Sequence, residues 1–243
     1  MELHIYKDNN ELSKAFAGWL ADYINSTLEN QDRFTIALSG GSTPQKLHTL
    51  LAASPYKEKI HWNKLHIFWG DERFVPFEDD RNNAKMAFDT LLDHVPVPKE
   101  QIHVMRTDIQ PEASAEEYEK ILNRYFPVTI PASTTFDLVL LGMGDDGHTL
   151  SLFPGTHVMH IENKSVTSLF LKQQDMYRIT LTAPVVNRAA CVVFLVSGSG
   201  KATALKEVIE GDYQPDLYPS QVIKPLNGEL HWFLDKAAAA NLE

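Results

Sequence analysis

Phe136 to Gly155 reads FDLVLLGMGDDGHTLSLFPG. The apolar run Leu138 to Leu141 stops at Gly142, and the next seven positions, 142–148, hold three glycines, two aspartates and one histidine. A short, unbroken apolar run bounded by glycine is the pattern of a strand buried on both faces, as in a parallel sheet. The glycines permit a sharp turn and close approach to a ligand. Asp145, Asp146 and His148 then lie just past the strand's carboxyl end, where open α/β sheets bind their ligands.

Working outward, the same alternation repeats. Leu3 to Tyr6 predicts a strand, and Asn10 predicts the cap of a helix with Leu12, Phe16, Trp19, Leu20 and Tyr23 on one face. Phe34 to Leu38 predicts a strand that runs into Ser39-Gly40-Gly41-Ser42-Thr43-Pro44, with Ser42 or Thr43 as cap and Pro44 at the first position of a helix. Leu65 to Trp69 predicts a third strand, followed by the loop GDERFVPFEDD and a helix over Arg81 to Asp93. Next come strand-like QIHVM and helix-like PEASAEEYEKILNRYF. Strand patterns at Ser165 to Leu171, Tyr177 to Thr182 and Cys191 to Val196 follow the central one, with helices at APVVNRA, at ATALKEVIEG after GSGK, and over Ala237 to Ala240. The expectation is α/β: one domain over residues 1–243, a single doubly wound, mainly parallel sheet with helices on both faces and some antiparallel pairing in the last third.

The 243 residues are 44% hydrophobic, enough for a substantial core, and the formal net charge of −10 disfavours nucleic acid or an anionic membrane as partner. Any anionic ligand needs local cations and backbone donors. One cysteine, Cys191 in the apolar CVVFLV, excludes an internal disulfide and suits a small core residue in a reducing compartment. With no basic, then apolar, leader and no membrane-length apolar window, the expected location is the cytoplasm.

Turns at the carboxyl ends of parallel strands converge, and four of them are unusual: SGGSTP, GDER, GMGDDGH and GSGK. In SGGSTP the backbone N–H groups of Gly40, Gly41, Ser42 and Thr43, at a helix amino terminus, form either a phosphate cradle or a plain strand-to-helix turn. GSGK fails the nucleotide-binding G-x-x-x-x-G-K-[ST], having Leu195 in place of the first glycine and Ala202 after the lysine, yet Lys201 still offers a point charge to a monophosphate. Gly142 to Gly147 satisfies a bare G-x-G-x-x-G, but two aspartates would face the pyrophosphate and Pro154-Gly155 cuts off the helix needed to hold it. His148 is placed to take a proton from water, with Asp145, Asp146 or Asp71 to orient its ring. Arg73 offers a planar fork to phosphate or a developing oxyanion. No G-x-S-x-G supports a serine nucleophile, no H-E-x-x-H supports a catalytic metal, and Asp146 with His148 supplies too few ligands for one.

Taken together, ALSGGSTP, WGDERFVPFEDDRNNAKMA, FDLVLLGMGDDGHTLSLFPG and RITLTAPVVNRAACVVFLVSGSGKA resemble the 6-phosphogluconolactonase family, within the superfamily that includes glucosamine-6-phosphate deaminase. The resemblance spans nearly the whole chain. It implies the deaminase-like α/β fold, no cofactor, no metal, no obligate protein partner, and hydrolysis of 6-phospho-D-glucono-1,5-lactone to 6-phosphogluconate in the oxidative pentose phosphate pathway. By the same resemblance Gly40, Gly41, Ser42 and Thr43 match the phosphate cradle, Arg73, Lys201 and Arg178 its cationic partners, and His148 the general base, with Asp71 and Asp146 beside it. Asn83 matches the asparagine of a usual D-x-x-S-N, although this chain has Asn82 where the serine stands. Deaminases resemble G-x-D-G-H-I-A-F-N-E, with an acid five positions after the histidine; here that position is Phe153, which favours the lactonase over the alternative deaminase or isomerase. A non-catalytic sugar-phosphate sensor is the alternative from another class.

Overall fold

The structure, a computed structural model, describes residues 1–127 and 133–243. Its strands are β1 (Glu2–Tyr6), β2 (Phe34–Leu38), β3 (Leu65–Trp69), β4 (Asp71–Arg73), β5 (Leu138–Leu141), β6 (Val166–Leu171), β7 (Met176–Leu181), β8 (Cys191–Val196) and β9 (Glu229–Asp235). The α-helices are α1 (Asn9–Leu28), α2 (Ser42–Leu51), α3 (Tyr56–Lys59), α4 (Asn83–Ala87), α5 (Pro111–Tyr125), α6 (Ala183–Val186) and α7 (Ala202–Ile209).

Six strands form one sheet in the order β1-β9-β8-β5-β2-β3, and every pairing in it is parallel. Period-2 alternation divides its side chains between two cores. Cys191, Val193 and Leu195 of β8 pack with Phe16, Leu20 and Ile24 of α1 on one face, and Val192, Phe194 and Val196 pack with Leu122 of α5 and Leu205 of α7 on the other. Strands covered on both faces are apolar nearly throughout, so β5 and β8 are unbroken hydrophobic runs and β2 departs only at Thr35, whose Oγ1 donates to Asp137 Oδ2 at 2.7 Å.

The second face is not covered by helices alone. β4, β7 and β6 make a separate antiparallel sheet, in that order, whose Val166, Leu169, Ile179 and Leu181 complete the core on that side. GDER is therefore no loop. Gly70 joins the two sheets: its N–H donates to Leu38 O at 2.9 Å, and its carbonyl accepts from Leu181 N at 2.8 Å. Asp71 and Arg73 leave that junction as a short strand paired with β7.

Other expectations shift locally. Asp8, rather than Asn10, caps α1, because its carboxylate accepts from Asn10 N at 2.8 Å and Glu11 N at 3.0 Å. QIHVM reaches the sheet only through a bridge from Ile102 to Ile67, and residues 236–241 form turns where a helical tail was expected. The helix expected over Arg81 to Asp93 begins at Asn83 and continues past Ala87 as a π-helical turn, Phe88–Leu92. β9, which the sequence did not disclose, lies in the sheet between β1 and β8.

At the end of β9 the buried Asp235 binds the turn after β8. Its carboxylate accepts from Ser197 Oγ at 2.5 Å, Gly198 N at 3.0 Å and Ala238 N at 2.8 Å. Asp235→Ala leaves these donors unmatched and is expected to lower the unfolding free energy by about 1.5–3 kcal/mol. Urea denaturation measures this, and an unchanged midpoint would show that the turn does not depend on β9.

Candidate active site

At the carboxyl edge of the parallel sheet, the turns after β2, β5 and β8 open on one cleft of about 270 Å³. Arg73 of β4, Arg178 of β7 and Asn83 at the start of α4 close it from the antiparallel sheet side. Of the residues singled out in the sequence, Gly40, Gly41, Asp71, Arg73, Asn83, His148, Arg178 and Lys201 line this cleft. Asp146 stands behind His148, whereas Ser42 and Thr43 lie in the first turn of α2, outside the lining.

The turn after β5 is built around the histidine. Gly144 N donates to His148 O at 2.8 Å, and Thr149 Oγ1 donates to Gly142 O at 2.8 Å, so the chain folds back on itself. Asp146 Oδ1 lies 2.5 Å from His148 Nδ1 and also accepts the His148 backbone N–H at 3.1 Å. An ionised carboxylate only accepts, so Nδ1 carries a proton, and in the neutral ring that leaves the lone pair on Nε2. Burial works to raise the Asp146 carboxyl, but the bond and charge of His148 and the backbone N–H groups outweigh it and hold Asp146 below the ordinary range. A Cβ on residue 144 would lie 2.1 Å from His148 Nδ1, so glycine is what admits the pair against the backbone. Phe153 forms the floor, stacked on the imidazole with centroids 4.1 Å apart.

Asp71 does not orient the histidine. It is buried, accepts Ser151 Oγ at 2.7 Å and lies 3.7 Å from Arg178 Nη1. Arg178, itself buried, also donates to Gln174 Oε1, and Arg73 Nη1 donates to Arg81 O at 2.9 Å. The Nε of each arginine is buried and has no hydrogen-bond partner among the described residues. Two uncompensated guanidinium donors beside one cleft suit an anion. Burial lowers the Arg178 pKa, with Asp71 opposing. Lys201 Nζ is held by Asp145 Oδ1 at 2.5 Å.

Asn83 depends on a residue that sequence reasoning missed. Glu72, between Asp71 and Arg73, resembles part of a surface ion cluster but is only 1% exposed. Its carboxylate accepts from Asn83 N at 2.7 Å, Ala84 N at 2.8 Å and Arg73 N at 2.8 Å, so it caps α4 and anchors β4. Asn83 Nδ2 then donates to Asp71 O at 2.9 Å, and its amide fills the space above Gly40, where a Cβ would lie 1.9 Å from Oδ1. Asn82, in place of serine, caps α4 by accepting Lys85 N at 2.8 Å. Ser151 and Gln174 were missed too. Ser151 follows His148 closely enough to have been noticed, whereas nothing near Gln174 in the sequence signals its contact with Arg178.

Fold and cleft define an α/β protein that sets an oriented imidazole beside a cluster of cations. The family model for glucosamine-6-phosphate isomerases/6-phosphogluconolactonase matches residues 7–232, and the chain belongs to that family. It is 42% identical over 220 residues to the 6-phosphogluconolactonase of Nostoc sp., covering 90% of this chain and 89% of that one. Against the 6-phosphogluconolactonase of Synechocystis sp. the identity is 41% over 220 residues, with the same shares of 90% and 89%. Among solved structures, 6-phosphogluconolactonase from Trypanosoma brucei matches with a TM-score of 0.87 and 28% identity, covering 100% of this chain and 98% of that one.

Burial raises the Glu72 carboxyl to about 7 from 4.5, against the pull of its three backbone donors, and Asp71 adds to the rise. Between those values the folded chain keeps a proton that the unfolded chain has lost. The stability Glu72 contributes is therefore full below pH 4.5 and is lost as pH rises through about 7. The stability of the protein relative to Glu72→Gln, from denaturant unfolding, should fall by about 1–3 kcal/mol across that window; a difference flat in pH would contradict a buried, titrating Glu72.

Proposed function

We propose that this chain hydrolyses 6-phospho-D-glucono-1,5-lactone to 6-phospho-D-gluconate in the oxidative pentose phosphate pathway, acting in the cytoplasm as one domain without a cofactor. The observation that carries the reading is the His148–Asp146 pair in the same small cleft as Arg73, Arg178 and Lys201. The named activity of the Nostoc and Synechocystis relatives supports the substrate.

The phosphate is held by Gly40 and Gly41 in the turn between β2 and α2, with Lys201, Arg73 and Asn83, while Asp71 and Gln174 fix the Arg178 guanidinium. Binding at the phosphate positions the lactone carbonyl beside His148, so contacts remote from the reacting carbon supply orientation. Asp146 fixes the tautomer, and Nε2 takes a proton from water as the water oxygen bonds to the carbonyl carbon. The tetrahedral oxyanion is met by the cationic wall. On collapse the bond from that carbon to the ring oxygen breaks, and the imidazolium returns its proton to the departing alkoxide. Phe153 gives the ring an apolar floor at the position where the deaminase pattern has an acid, so the carboxylate needed to extend a relay for isomerisation is missing.

Acid release from fresh 6-phosphogluconolactone, followed above the spontaneous background, tests the assignment; tight binding without turnover would instead support a sensor, and ammonia release from glucosamine 6-phosphate a deaminase. His148→Ala is expected to reduce kcat about 10²–10⁴-fold with little change in substrate binding, and unchanged turnover removes the histidine from the reaction. Lys201→Ala should raise KM by about 10–100-fold, the loss of one charge-assisted phosphate contact, with kcat nearly preserved. An equal loss with an unphosphorylated lactone would contradict a phosphate contact.

A further inference from the structure

A second cluster of ligating groups lies on the outer strands, away from the cleft. Parallel pairing sets Glu2 beside His231, His4 beside Phe233 and Cys191 beside Glu229. With a period of two, Glu2 and His4 of β1 and Glu229 and His231 of β9 therefore share the sheet face that α1 covers.

His4 Nε2 lies 3.2 Å from His231 Nδ1, and Glu2 Oε2 lies 3.7 Å from the first nitrogen and 3.4 Å from the second. Ligands about 2.0–2.1 Å from a tetrahedral ion are roughly 3.3–3.4 Å apart, so these three atoms approximate one face of such a site. The rings are fixed: His4 stacks on Phe233 with centroids 4.3 Å apart, and Trp19 of α1 packs against His231 at 5.3 Å. Independently, Glu229 Oε2 lies 3.2 Å from His231 Nε2. A carboxylate on the far nitrogen of an imidazole sets its tautomer and raises its basicity as a ligand, the usual support for a metal-bound histidine.

We propose that Glu2, His4 and His231 bind one divalent transition-metal ion of the zinc type, with Glu229 orienting His231 and the fourth position open to water. The ion ties edge strand β1 to β9. Cys191 groups with Glu229 and His231 rather than with the Glu2, His4 and His231 face. No local motif signals the site, since His4 and His231 are 227 residues apart in the chain.

The test uses the untagged full chain, stripped with EDTA and titrated with zinc chloride by calorimetry, with cobalt(II) as spectroscopic probe. The expected result is one zinc per chain, a raised thermal midpoint and the visible absorption of four-coordinate cobalt. His4→Ala and Glu2→Gln, at accessible positions of an edge strand, should each weaken binding at least about tenfold, and Glu229→Gln about 10–100-fold. His157→Ala, in a distant surface turn, should not change it. Absence of saturable one-equivalent binding, or unchanged affinity in His4→Ala and Glu2→Gln, overturns the site.

Discussion

Because β2, β5 and β8 are parallel neighbours, the turns leaving them must open on one edge of the sheet, which places Gly40, His148 and Lys201 around one cleft despite their separation in sequence. The turns approach closely only because two side chains are absent. Asn83 occupies the space above Gly40, and the His148–Asp146 pair the space above Gly144. The first contact joins separate segments, Asn83 through Glu72 to β4, and the second is internal to the turn after β5, where Asp146 holds His148. Fixed side chains of this kind reorganise little when a ligand arrives, the condition for strong electrostatic stabilisation.

The cleft's charge runs against that of the molecule. With a net charge of −10 the protein has no general attraction for anions, so a phosphate ester must be drawn by what is local. Arg178 illustrates how a cation is kept there. Burying a guanidinium is unfavourable, and Asp71 and Gln174 compensate it while its Nε stays unmatched among the described residues. Asp71 in turn is tied to Ser151, three residues beyond His148. In the proposed mechanism this links the cationic wall to the turn that carries the base.

How much of this was legible in sequence followed from whether the signal was local. β5 and β8 were readable because burial on both faces demands unbroken apolar runs, β2 because only Thr35 breaks its run, and the glycine-rich ends announced a cleft. β9 was not, since the exposed Glu229 and the buried His231 interrupt its apolar run. GDER looked like a charged loop because three residues are too few to show alternation, and pairing with β7 alone makes them a strand. Glu72 was hidden for the same reason: a carboxylate between an aspartate and an arginine reads as solvated until tertiary packing buries it. The choice among Asp145, Asp146 and Asp71 as partner of His148 likewise rests on the path of the turn, which sequence does not encode locally.

Lys201 shows why these details bear on function. It caps α7, where positive charge opposes the helix dipole, and no side chain caps that end. Two acids make the position tolerable: Asp235 holds the preceding turn from β9, and Asp145 reaches across from the β5 turn to the ammonium. Asp145 is largely exposed, so exchanging it for another anion involves little desolvation. The mechanism proposed above gives Lys201 to the substrate's phosphate, an anion that would compete with the Asp145 carboxylate for the same ammonium. The cleft thus holds its cation beside an exchangeable anion, and Asp145 stands one residue from Asp146, the aspartate that orients His148.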